Sequence, residues 1–210
     1  RMDPEDLEPK NRKPPPKNLQ IMDIEELEDY IAGMKSEIAR AEAMIKSKKA
    51  DRNVALALQS HLDARSTFAE AYRSVRTALQ FSTREGAPRQ LVVTSTAAQE
   101  GKSTTALALA INFAQAGQSV LLIDADLRNP SVHAMLDLDN TRGLSNYLSG
   151  DIPALGVVRI TPIPNLYVIP AGPLPPNPVE LLSGPKMLGL LAELEHRFPA
   201  IILDSPPVLG

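Results

Sequence analysis

The segment LVVTSTAAQEGKSTTALALA, residues 91–110, constrains this chain more than any other part of it. An apolar run, LVVTS, reads as a buried strand. A polar loop follows, and then a helical stretch, TTALALAINFAQAG, which ends at a glycine able to cap it. At the junction stand Gly101, Lys102, Ser103 and Thr104. Gly101 removes a side chain where backbone must approach a phosphate, and Lys102 brings positive charge to terminal phosphates. The Ser103 hydroxyl can ligate magnesium. The first turn of the helix adds unpaired amides and its dipole to the same anion site. Gly-Lys followed by Ser or Thr arises by chance in about one chain in ten of this length. The full loop pattern also has a glycine where this chain has Thr96. The position between a strand and a helix therefore carries the argument.

Three further apolar runs predict a parallel sheet: SVLLIDA (119–125), LYVIPA (166–171) and AIILDSP (200–206). Strand, helix and strand in that order form a βαβ unit. Asp124 and Asp126, followed by Arg128, close the second strand, and Asp204 closes the last. Carboxylates spaced by two share a face, and strand carboxyl ends are where α/β proteins bind ligands. A phosphate loop followed by two strands ending in carboxylates predicts a site for ATP with Mg2+.

Composition removes several competitors. Of the 210 residues 43% are apolar but only 4% aromatic, with no Trp, so the core must be aliphatic. A net charge of -3 lacks the basic footprint of a nucleic-acid binder. The absence of cysteine excludes disulfides, thiolate metal sites and cysteine nucleophiles. His61, His133 and His196 are scattered without metal spacing and read as surface residues. No apolar run approaches the roughly 18 residues of a membrane helix. The opening RMDPEDLEPK has no starting Met or signal peptide, and the chain stops at LDSPPVLG. Both ends predict a piece of a longer protein.

Residues 1 to about 20 are charged and Pro-rich, as in a linker. From Met22 to about Ser60 the pattern is helical, with Ile24, Leu27, Ile31, Met34, Ile38 and Ile45 in a narrow stripe. A solvated helix lying on its own domain and a coiled-coil or juxtamembrane stalk both fit that stripe. Gly33 and Asn53 weaken a long continuous helix. Ser66 to about Phe81 predicts a second helix with Phe68, Tyr72, Val75 and Leu79 on one side. The expected organisation is an extension over 1–60 and a nucleotide-binding domain over 61–210. The expected fold is α/β, a P-loop NTPase with a mostly parallel sheet flanked by helices and an N-terminal helical extension.

From about Leu62 to Gly210 the residues carry a family resemblance. The phosphate loop, the Asp124-x-Asp126-x-Arg128 strand end and IILDSPP resemble the Walker A, A′ and B motifs of bacterial tyrosine kinases that serve capsule and exopolysaccharide export. FAEAYRSVRTALQF resembles that family's Glu-x-x-Arg-x-x-Arg oligomerisation helix through Glu70, Arg73 and Arg76. PAGPLPPNPVELLSG is similar to the turn and helix the family places before Walker B, and NPSVHAMLDLDNTRGLSNYLSGD to its helix–turn–helix after Walker A′. DPEDLE resembles the segment that follows the family's last membrane helix. The chain departs at Ala98-Gln99-Glu100, since many members carry Pro-Gly-Glu there. The family's further strands and Tyr-rich tail would lie beyond Gly210.

The resemblance implies an ATP-dependent protein tyrosine autokinase at the cytoplasmic face of the bacterial inner membrane. Gln99, Glu100, Gly101, Lys102, Ser103, Thr104 and Arg128 would bind the nucleotide, and Ser103, Asp126 and Asp204 would hold magnesium. Lys102, Asp124 and Asp126 would act in transfer, with Asp124 receiving or orienting the tyrosine proton or serving as another outer-shell magnesium ligand. Glu70, Arg73 and Arg76 would dock on a neighbour in a ring-like homo-oligomer. Its partners would be the tyrosine-rich tail of that neighbour and a membrane-embedded polysaccharide co-polymerase segment, with no nucleic acid. Two other readings stay open: a partitioning-type ATPase acting as a nucleotide-dependent dimer switch, and a non-catalytic chain-length regulator. The first usually has an extra Lys at the start of the loop, where this chain has Thr94-Ser95-Thr96.

Overall fold

Two-residue alternation within the apolar runs sorts their side chains onto opposite faces of one sheet. The computed structural model describes residue 19 and residues 22–62, 66–84, 86–150 and 152–208, with Ala43 and residues 46–62 in backbone alone. The linker expected over residues 1 to about 20, with DPEDLE, lies outside the described residues except for Leu19. The strands are β1 (Gln90–Val93), β2 (Val120–Asp124), β3 (Arg159–Ile160), β4 (Leu166–Ile169) and β5 (Ala200–Asp204). Their order is β1-β5-β2-β4-β3. All pairings are parallel except β3 with β4. The short antiparallel β3 was not anticipated, because two residues carry no periodicity to read.

The helices of this region are α2 (Thr67–Gln80), α3 (Lys102–Gln115), α4 (Val132–Met135), α5 (Leu144–Ser149), α6 (Ala154–Val157), α7 (Pro178–Ser183) and α8 (Pro185–Glu195), after an N-terminal α1 (Ile24–Leu62). On one face of the sheet Val120, Leu122 and Ile202 pack with Leu107, Ile111 and Phe113 of α3. On the other, Leu121, Ile123 and Ile201 pack with Leu144 of α5 and Leu190 and Leu194 of α8. β2 and β5 are buried throughout, as their unbroken apolar runs predict. β1 differs: it lies at the sheet's edge, and Val92 is 65% exposed.

The chain divides into two units, Arg1–Lys48 and Lys49–Gly210, with the division inside α1. α1 is helical through both Gly33 and Asn53. A glycine weakens a helix by only about 1 kcal/mol relative to Ala, which the long Glu-, Lys- and Ala-rich surround offsets. Among the described residues no helix is long and apolar enough to cross a membrane. In α2, Ser66 caps the first turn by accepting from the Ala69 N–H at 3.1 Å. Tyr72 and Leu79 pack on the α3 side of the core, whereas Val75 points outward, 45% exposed.

Candidate functional site

Parallel pairing brings the two acidic strand ends, with Asp126 just beyond the first, and the phosphate loop to the carboxyl end of the sheet. Val93 is the register partner of Asp204, and Asp204 that of Asp124. The ends of β1 and β5 are tied further by Ser205 N–H to Val93 O (3.0 Å) and Val208 N–H to Ser95 O (2.9 Å). The loop from Thr94 to Gly101 therefore leaves a fixed platform and re-enters at the first turn of α3.

Two loop residues take left-handed backbone, Gln99 at φ 70° and Gly101 at φ 85°. The glycine adopts it without strain, and the glutamine does so against the preference of a side-chain-bearing residue. Glu100 closes the loop by accepting from the Thr96 N–H at 2.8 Å.

Lys102 reaches back from the start of α3 into the carboxylates. Its ammonium lies 2.7 Å from Asp126 and 3.6 Å from Asp204, and it donates to the Ser103 hydroxyl at 3.3 Å. Burial works against the charged ammonium, but the Asp126 hydrogen bond and the Asp204, Asp126 and Asp124 charges raise its pKa overall.

The three aspartates differ in surroundings. Asp124 is wholly buried, and its oxygens accept from the N–H groups of Asp126 (3.3 Å), Ser131 (3.1 Å) and Val132 (3.0 Å). Burial, with the Asp204 charge, nonetheless pushes its pKa up to about 7 against those hydrogen bonds. Asp126 turns one oxygen to the N–H groups of Arg128 (3.2 Å) and Asn129 (3.0 Å) and the other to Lys102. Asp204 is wholly buried and neither of its oxygens has a hydrogen-bond partner of ordinary geometry. Burial raises its pKa, and the nearby Ser103 hydroxyl and Lys102 ammonium draw it back. Among the described residues no three His, Cys, Asp or Glu side chains form a metal cluster on their own. The orphaned Asp204 oxygens beside a serine hydroxyl still fit magnesium, which keeps several waters and takes few protein ligands.

The structure brings together Gln99, Glu100, Gly101, Lys102, Ser103, Thr104, Asp124, Asp126, Arg128 and Asp204 at one end of the sheet, as expected from the sequence. The charged triplet of α2 divides. Arg73 pairs with Glu70 on the helix surface, but Arg76 turns inward and donates to Asn112 O of α3 at 3.0 Å. Tyr72, which sequence reasoning passed over except as an apolar position, exchanges a hydrogen bond with Thr105 at 3.2 Å. No periodicity links residues so far apart in sequence. Gly143, which precedes α5, is fixed by crowding: a Cβ there would lie 2.1 Å from Pro170 O. A cavity of about 610 Å³ lined by Arg84, Arg89, Phe113 and Pro199 contains none of the site residues. His133 is half-buried, which lowers its pKa, and His196 is exposed; the side chain of His61 lies outside the described residues.

Residues 89–210 match the AAA domain family, and residues 5–58 match a family described only as a protein of unknown function, DUF1192. The chain is 42% identical over 148 residues to the tyrosine-protein kinase YwqD of Bacillus subtilis, covering 70% of this chain and 62% of that protein. The crystal structure of the chimerical protein CapA2B2 superposes with a TM-score of 0.69 at 36% identity, covering 72% of this chain and 67% of that one. The kinase domain of Escherichia coli tyrosine kinase ETK gives a TM-score of 0.68 at 35% identity, covering 70% and 58%. The chain spans 60% to 66% of the length of three curated relatives of this kind.

Proposed function

The chain belongs to the bacterial tyrosine-kinase family of P-loop proteins, and on that premise we propose that it binds Mg-ATP and takes part in phosphoryl transfer to tyrosine. The observation that carries this reading is the Lys102 ammonium held among Asp126, Asp204 and Ser103, with both Asp204 oxygens otherwise unpartnered. Bound Mg-ATP supplies the transferable phosphoryl group and the charge of the metal.

The chain's own residues do the rest by positioning and charge neutralisation, which suffice for a loose phosphoryl-transfer transition state. Amides of Gln99 to Thr104 and the charges of Lys102 and Arg128 would bind the phosphates. Ser103, Asp126 and Asp204 would hold the magnesium. Asp124 would take the tyrosine proton: a carboxylate raised to about 7 can accept one at neutral pH. Its alternative role is that of an outer-shell magnesium ligand. The exposed Glu70 and the half-buried Arg73 paired with it suit a contact with a neighbouring subunit, and Arg76 would support that contact by fixing α2 on α3. This assembly would be a ring-like homo-oligomer that offers the tyrosine-rich tail of one subunit to the next. It would act with a membrane-embedded co-polymerase segment at the cytoplasmic face of the membrane in capsule or exopolysaccharide export. The domains would be the extension over 1–60 and the kinase portion over 61–210.

The test is phosphotyrosine formation by the full-length protein with Mg-ATP, compared with Lys102→Met. Lys102-dependent tyrosine phosphorylation is the expected outcome. ATP hydrolysis with no phosphotyrosine, coupled to nucleotide-dependent dimerisation, would favour the partitioning-type ATPase.

A further inference from the structure

Ile24, Ile31, Ile38 and Ile45 recur every seven residues along α1, and Leu27, Met34 and Ala41 each follow an isoleucine by three. The stripe is open to solvent: the four isoleucines are 77%, 51%, 54% and 53% exposed, and Met34 is 48% exposed. The side of the helix away from the stripe is polar, with Glu25, Asp29, Ser36 and Arg40, and its flanks carry Glu28, Lys35, Glu37 and Glu42 beside Tyr30 and Met44. A helix lying on a globular surface needs a broader apolar face repeating near 3.6 residues. A strict repeat of 3.5 follows a partner that is itself a helix winding around the first. From Ile24 to Ile45 the stripe runs for about 32 Å at 1.5 Å per residue, the span over which such heptads form a coiled coil.

We propose that α1 pairs with α1 of a second copy of this chain as a parallel, in-register, two-stranded coiled coil. In that register each isoleucine meets its own counterpart, with Leu27, Met34 and Ala41 layered between. Isoleucine at the first position of the heptad, with Leu27 and Met34 at the fourth, favours two parallel strands. Flanking the seam, Glu37 faces Glu42 and Asp23 faces Glu28, so the apolar layers and not the charges hold the pair. The interface is built from residues of the first unit and uses neither Glu70 nor Arg73, so it stands or falls independently of kinase activity.

Light scattering on the chain carrying Arg73→Ala, which silences the α2 surface, should give a dimer mass. Ile38→Asp should raise the dissociation constant at least ~100-fold, since it buries a charge in the seam. Nucleotide affinity should stay unchanged, which shows that the second unit remains folded. The chain has no cysteine, so a second measurement is clean. Ile38→Cys should cross-link between copies on mild oxidation, because facing seam positions suit disulfide geometry. Arg40→Cys, on the outer side, should not. A monomer mass for the starting chain, or equal cross-linking at the two positions, or a dimer with none at Ile38, overturns the proposal.

Discussion

Lys102 is bound to Asp126 at 2.7 Å, an ion pair between the first residue of α3 and the loop that follows β2. Both side chains are nearly withdrawn from solvent, at 10% and 3% exposed, so the pair welds the phosphate loop to the acidic strand ends. The lysine also stands close to Asp204, and one cation therefore serves two carboxylates.

Replacing Lys102 with Met should leave the fold intact, because the freed carboxylates can take up protons instead of remaining charged and buried. Mg-ATP affinity should fall at least tenfold, about 1.4 kcal/mol. Titration calorimetry on variant and parent checks this, and equal affinities would remove the phosphate site from this end of the sheet.

Asp124 makes stability depend on pH with a definite sign. Its pKa rises from 3.8 to about 7 on folding, so between those values the folded state holds a proton that the unfolded chain releases. Stability should therefore fall as pH rises from about 4 to about 7 and level off above. Asp124→Asn should flatten that slope in urea unfolding without magnesium. The variant should also be less stable overall by about 1–3 kcal/mol, since one amide oxygen cannot serve three N–H donors.

The same substitution separates the two roles open to Asp124. In the full-length protein Asp124→Asn should bind Mg-ATP with near-parent affinity while tyrosine phosphorylation drops by about 100-fold or more, the scale of a lost general base. If affinity and transfer decline together, Asp124 belongs with the magnesium ligands.

Arg73 and Arg76 should no longer behave alike. Arg76→Ala removes a charged hydrogen bond to Asn112 O and should lower stability by about 1–2 kcal/mol. Arg73→Ala should barely move the unfolding midpoint but should reduce assembly beyond the dimer, read by light scattering. Equal loss of stability in both variants would mean that α2 carries no distinct docking surface.

Tyr72→Phe tests the link between α2 and α3. Losing the hydrogen bond to Thr105 should reduce stability by about 1 kcal/mol. Thr105→Val should add little on top of it, because both changes remove one interaction. Additive effects in denaturant unfolding would show that the two hydroxyls are served separately.

The residues of the proposed nucleotide site were legible in the sequence because each signal is local. Buried strands write continuous apolar runs, a helix start writes Gly101-Lys102-Ser103, and strand ends write Asp124, Asp126 and Asp204. The two halves of the α2 motif were equally visible as residue types. What each arginine touches was not, since Arg76 meets a backbone carbonyl that carries no residue-specific mark. Nor could the sequence assign the burial that lifts Asp124, the orphaned oxygens of Asp204 or the edge position of β1. Those follow from the strand order β1-β5-β2, in which the last strand to be made inserts between the first two. Local patterning determined the parts and their chemistry. Only the long-range pairing of β5 decided which charges lie side by side, because desolvation and Coulomb interaction depend on distances between residues far apart along the chain.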